Sequence, residues 1–317
     1  MDYKEFVNAV EKGMSQRMTG GVKVSLYTAI KNNGKERTGV LIETPGINIS
    51  PTIYLEEYYD SYTKGKPLSC IVSELIEFYE SIKKEEPWDC GRILNYEGVK
   101  DRIVFKLINT AKNRELLSTV PHRMFLDLSI VFYILFEATD EGTAAMPVSN
   151  SHTKQWKVGT ETLWEDAVRN ARKLLPAELM TMNYALREML GKSCGRAGAW
   201  EAENLLTGRK KERDGMYVLS NYLRNYGAAC IAYPHIMEMV GEILQRDYYI
   251  LPSSVHEVVI LPYSREISKR EMDDMVKDIN ETQVAEEEVL SDHVYLYERS
   301  TGRFLGKNVR QAGGNTR

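Results

Sequence analysis

The stretch Tyr249-Ile-Leu-Pro-Ser-Ser-Val-His-Glu-Val-Val-Ile-Leu-Pro262 holds two apolar runs, around Tyr249 and Val258, separated by a polar break after Pro252. Short runs rich in aromatic and branched side chains, bounded by proline and serine, read as strands. A link this short suits antiparallel neighbours, because a parallel crossover needs a dozen or more residues. Outward from it, strands are expected at Met216–Leu219 and Ala228–Tyr233, then a helix begun by Pro234. On the other side come a helix over Arg270–Asn280 and a last strand at His293–Tyr297. Strands adjacent in sequence, interrupted by helices, predict an α+β fold with a mixed or largely antiparallel sheet flanked by helices.

The rest of the chain fits that class. Phe6, Val7, Val10 and Met14 share one face of a helix over residues 2–17, closed by Gly20-Gly21. Val22, Val24, Leu26 and Ile30, then Asn33-Gly34 and a second run near Val40 and Ile42, read as a hairpin. Ile71, Leu75, Phe78 and Ile82 recur at helical spacing. Strands are expected at Ile103–Ile108, Phe125–Phe136 and Thr143–Val148. A helix follows, with Thr162 and Glu165 as a capping box and Leu163, Ala167, Ala171 and Leu174 as its buried stripe. Pro176 predicts the first turn of another helix, running through Leu179, Met182, Leu186 and Met189. The domain reading is a globular region over 1–300, in two lobes if the glycine- and arginine-rich stretch 191–214 divides it, and a polar, flexible tail over 301–317.

Composition excludes several classes. The 317 residues are 43% hydrophobic and 27% charged, ordinary for a globular protein. With 41 basic against 45 acidic residues, a net charge of −4 gives no general attraction to nucleic acid or an anionic membrane. Cys70, Cys90, Cys194 and Cys230 are too far apart in sequence for a zinc knuckle or a redox pair. The N-terminal segment is charged throughout and lacks the apolar core of a signal peptide, so the expected location is cytoplasmic. The longest apolar run, Leu126–Phe136, contains Asp127 and Ser129 and is too short to span a bilayer.

Four strings, Ile49-Ser-Pro-Thr-Ile-Tyr-Leu55, Val120-Pro-His-Arg-Met-Phe-Leu-Asp-Leu128, Trp164–Pro176 and the opening stretch Tyr249–Pro262, resemble an uncharacterised family, a domain of unknown function of gut anaerobic bacteria. Together they span most of residues 1–300. The resemblance implies a bacterial, cytosolic protein, and it brings no catalytic residue with it.

The densest cluster of reactive side chains is Ser253, Ser254, His256 and Glu257. They supply a nucleophile, a base and an acid for hydrolysis. On an extended strand, however, Ser254 and His256 point to one face and Ser253 and Glu257 to the other, so neighbours run parallel instead of converging. The other reading is a polar turn after Pro252, with serine hydroxyls capping backbone groups. His256-Glu257 is not a zincin helix, because Val258, Val259 and Ile260 follow and no histidine stands one turn on. His152, His235 and His293 are scattered singly, and no metal site is expected. His122 and Arg123 with Asp127 are a second candidate, for holding a phosphate or carboxylate, against the reading of a polar entry to a buried strand.

Gly195 and Gly198 do not complete a dinucleotide fingerprint, and Gly65-Lys66 lacks the rest of a phosphate loop, so no cofactor is expected. Arg209-Lys210-Lys211 and Arg213 are interrupted by Glu212 and read as a solvated loop. Tyr54, Tyr58, Tyr59 and Tyr62 stand among Glu56, Glu57 and Asp60, which argues against nucleic acid. The functional expectation is a non-enzymatic binding or interaction protein, with a protein or small molecule as partner. The alternative is a hydrolase using Ser254 and His256.

Overall fold

The computed structural model describes residues 1–48, 50–83, 90–139, 142–190, 204–208, 214–266 and 268–305. Two compact units divide the chain, Met1–Gly91 and Arg92–Arg317.

In the first unit, Asp2 and Glu5 form a reciprocal capping box that starts α1 (Tyr3–Arg17). The apolar face of α1, Phe6, Val7, Val10 and Met14, is buried as its spacing predicts. The expected hairpin is β1 (Lys23–Ile30) and β2 (Glu36–Glu43), turned by Asn33 and Gly34, both at positive φ. A third strand, β3 (Thr52–Tyr54), adds antiparallel to β2. Gly39 is required there, since a β-carbon would stand 2.5 Å from the Ile53 carbonyl oxygen. After α2 (Glu56–Thr63) comes α3 (Leu68–Ile82), which buries Ile71, Val72, Leu75 and Tyr79 in the same core. Glu56 links helix and sheet by accepting from the Thr38 N–H at 2.7 Å and the Tyr3 hydroxyl at 2.8 Å. Tyr58, Tyr59 and Tyr62 lie against this core, as packing residues.

The second unit contains two antiparallel sheets. The long strand β6 (Leu128–Thr139) pairs on one edge with β4 (Ile103–Asn109) and on the other with β5 (His122–Phe125) and then β7 (Gly142–Pro147). The expected strand Phe125–Phe136 is therefore two strands: Leu126 takes positive φ and, with Asp127, turns the chain between Phe125 and Leu128. The short helix α4 (Arg114–Thr119) links β4 to β5, and α5 (Asn150–Trp156) and α6 (Thr160–Leu174) follow β7. Gly159, not Thr162, caps α6, so the predicted capping box falls inside the helix. In α5 a box of Ser149 and His152 does that work, and the His152 ring stacks on Trp156 at 5.2 Å.

The second sheet has the order β13-β12-β10-β11-β9-β8. Its strands are β8 (Ala177–Thr181), β9 (Tyr217–Asn221), β10 (Tyr248–Leu251), β11 (Val258–Pro262), β12 (Tyr295–Glu298) and β13 (Arg303–Leu305). The opening stretch thus forms the antiparallel pair β10 and β11, with Ile250 opposite Ile260. Helices α7 (Met182–Met189), α8 (Ile236–Leu244) and α9 (Lys269–Thr282) connect the strands. The α+β class is what the structure shows.

Further assignments change. The helix expected after Pro176 is first the strand β8, because Ala177–Thr181 pair with Asn221–Tyr217 and the Asn204 side chain bonds both Leu179 N–H and Ala177 C=O. The strand expected at Ala228–Tyr233 is a 3-10 helix over Gly227–Ala232, in which the run Gly227–Ile231 is buried without a break, so periodicity carries no signal. Within the tail expected over 301–317, Arg303–Leu305 form a strand that pairs with Leu296–Glu298, and Phe304 packs edge-on against Tyr297. Residues 306–317 lie outside the described residues, as do Gly195, Gly198 and the basic run 209–213. Of the expected division at 191–214, only 204–208 and 214 are described. The division between compact units falls after Gly91. Among the described residues no helix is long and apolar enough to cross a membrane.

Candidate functional site

The polar break between β10 and β11 lies along another segment of chain. Val255 N–H donates to Glu288 C=O at 2.8 Å, Leu290 N–H to Ser253 C=O and Ser291 N–H to Pro252 C=O, both at 3.0 Å. Ser254 forms an isolated antiparallel bridge with Val289. These bonds fix the direction of each side chain in the cluster.

The Ser254 hydroxyl accepts the His256 N–H at 3.1 Å. That is the backbone-capping role of a polar turn. From β9, the Ser220 hydroxyl donates to the His256 carbonyl at 2.7 Å. The His256 ring lies flat on Tyr226, centroids 5.5 Å apart and planes at 21°. Its Nδ1 accepts the Tyr226 N–H at 3.3 Å, which places the ring proton on Nε2, 3.4 Å from Glu288 Oε1. The Lys106 ammonium lies 4.2 Å from the Tyr226 ring centroid.

Both imidazole nitrogens are therefore engaged, and among the described residues no hydrogen bond joins a serine hydroxyl to the ring. A carboxylate does reach the ring, but it is Glu288, not Glu257. Glu257 makes no ion pair among the described residues, and Ser253 takes part through its backbone carbonyl. Tyr226, Glu288, Lys106 and Ser220 were not legible as partners of His256. The Asn225-Tyr226-Gly227 run carries a turn signal, and Tyr226 takes positive φ there.

The second candidate does not converge. His122 is exposed and its Nδ1 lies 3.1 Å from the Val120 carbonyl. Arg123 pairs with Glu161 at 3.1 Å and covers the Trp164 ring at 4.8 Å. Asp127 accepts hydroxyls from Tyr295 at 2.5 Å and Ser291 at 2.9 Å. Burial first, then the Asp127 charge, pushes the Tyr295 phenol well above its ordinary value, so it stays a donor. These bonds, with Asn109 Nδ2 donating to Leu290 C=O at 2.9 Å, tie the β4–β6 sheet to the segment before β12.

A cleft of about 470 Å³ opens elsewhere in this unit. Glu238 and Glu242 of α8, Arg246 and Asp247 beyond its end, and Tyr297, Arg299 and Ser300 at the end of β12 form its walls. None of the residues nominated from sequence lies among them. Among the described residues no group of three or more His, Cys, Asp or Glu side chains is arranged to hold a metal ion.

Neither a curated protein nor a solved structure matches the chain. Residues 3–299, running through both compact units and the whole of the His256 segment, match the model of a family of unknown function, DUF5688, and the chain belongs to that family.

Proposed function

We propose that this chain is a bacterial cytoplasmic binding or interaction protein that recognises a small molecule or a protein and does not turn it over. The observation that carries this reading is the engagement of the His256 ring at both nitrogens, by the Tyr226 N–H and beside Glu288. A general base needs a free nitrogen within reach of the proton that it removes. The densest cluster of reactive groups instead serves the fold, locking the β10–β11 connection to Glu288–Ser291 and to β9. The bacterial, cytosolic setting rests on the family resemblance, and the free thiols of Cys70 and Cys230 suit a reducing compartment.

The hydrolase alternative requires the Ser254 hydroxyl to leave the His256 N–H and the ring to leave Tyr226. Two measurements separate the readings. Affinity capture from a bacterial lysate, read by mass spectrometry, is expected to return a reproducible partner or bound metabolite. A panel of ester, amide and phosphoester substrates is expected to show no turnover above background. Turnover that disappears in folded Ser254→Ala and His256→Ala proteins would overturn the proposal in favour of the hydrolase.

A further inference from the structure

The cleft at the end of α8 gathers five ionisable side chains, Glu238, Glu242, Arg246, Asp247 and Arg299, around one cavity of about 470 Å³. Among the described residues no ion pair joins any of them, and neither guanidinium has a hydrogen-bond partner. Glu238 and Glu242 stand four residues apart on one face of α8. Gly241 lets the Arg299 stem lie against the helix, since a β-carbon there would stand 3.3 Å from Arg299 Cγ. The Arg299 N–H is fixed to Asp247 Oδ1 at 2.9 Å. Arg246 leaves α8 after Gln245, which turns the chain at positive φ. Tyr297 also lines the cleft, stacked on Tyr248 at 5.1 Å and 2% exposed. Its hydroxyl is buried and has no partner among the described residues.

We propose that this cleft binds a small zwitterion, of free amino-acid or dipeptide size. The proposal deepens the binding reading given above and rests on it. Arg246 and Arg299 receive the carboxylate, for which the planar guanidinium fork is suited. Glu238 and Glu242 receive the ammonium group. A ligand of one sign fits less well: a free dianion would face three carboxylates, and a diamine would face two guanidinium groups. The volume falls in the range of roughly 300–1,000 Å³ usual for small-ligand sites.

Calorimetric titration of the full chain with the proteinogenic amino acids and glycylglycine tests this, with inorganic phosphate and putrescine as probes of one sign each. At least one zwitterion is expected to bind. Arg299→Met and Glu242→Gln are each expected to weaken it by roughly tenfold or more, a loss of one strong charge-assisted contact. Both side chains are on the surface, so the unfolding midpoint without ligand should stay put in the variants. The proposal is overturned if no zwitterion binds, if both variants bind it as the parent does, or if phosphate or putrescine binds as tightly. A zwitterionic metabolite recovered by lysate capture and still bound by both variants would overturn the cleft assignment while leaving the binding reading intact. Substrate turnover dependent on His256 would overturn that reading itself.

Discussion

A β-carbon added at Gly227 would stand 2.0 Å from the Ser220 hydroxyl, 2.5 Å from Asn221 N and 2.6 Å from the His256 carbonyl oxygen. Two of these atoms form the bond that holds the His256 backbone to β9. Gly227→Ala must therefore push that bond apart, and a loss of about 3 kcal/mol is expected, at the upper end for overpacking. Urea unfolding of the parent and variant measures it, and equal midpoints would show that the loop yields without cost. His152 offers a test in pH. Its Nδ1 accepts the Ser149 N–H at 3.1 Å, which requires an unprotonated nitrogen, and burial holds its pKa below the ordinary 6.5. A base whose folded pKa is depressed contributes stability that is present above the unfolded value and lost as pH falls through the folded one. Stability should decline as pH drops from about 7 to about 5, and His152→Gln should remove that part of the slope. Identical slopes in the two proteins would exclude His152 as the source.

Among elements, β13 differs most from what the sequence suggested. The polar composition after residue 300 hides Phe304, whose ring meets Phe125 at 5.6 Å and Tyr297 at 5.4 Å. Phe304→Ala should cost roughly 1–2 kcal/mol, less than a fully buried phenylalanine because the ring is half-buried. A thermal midpoint identical to the parent's would return residues 303–305 to the status of a loose tail. The elements that sequence did predict share one property, an apolar period with a marked end. The α1 face of Phe6, Val10 and Met14 and the β1–β2 hairpin at Asn33-Gly34 are of this kind. β8 was missed because Leu179, Met182 and Leu186 sit at helical spacing, while the pairing with β9 and the Asn204 side chain act from distant sequence. The site divides the same way. The capping role of Ser254 was legible locally, whereas Tyr226 and Glu288 lie about thirty residues to either side of His256. The cleft left no motif, because its walls come from a helix end and a strand end.

For the molecule as a whole, the division after Gly91 gives the first unit its own buried cluster, with Phe6, Val10, Met14, Ile42, Leu55, Ile71 and Leu75 fully enclosed. Each such side chain contributes about 1.5–3 kcal/mol by burial. A fragment of residues 1–91 is expected to fold, with a cooperative thermal transition by circular dichroism. A fragment with helical signal but no cooperative transition would show that the unit depends on the rest of the chain.

The bonds from Asp127 to Ser291 and Tyr295 and from Asn109 to Leu290 cross 164, 168 and 181 residues of sequence. A ribosome adds residues in order, so the β4–β6 sheet emerges complete long before the segment that ties it down. Until residues 291–295 have left the exit tunnel, the Asp127 carboxylate lacks its hydroxyl donors, and β10 lacks its neighbour β12. The first unit has no such wait. Nascent chains stalled with about 200 residues outside the tunnel should therefore show a protease-resistant fragment near residues 1–91 and rapid digestion beyond it. Resistance of both units at that length would mean that the early sheet closes without its late partners. A chain made this way would be born in two instalments, with its last strands to be made shutting the second.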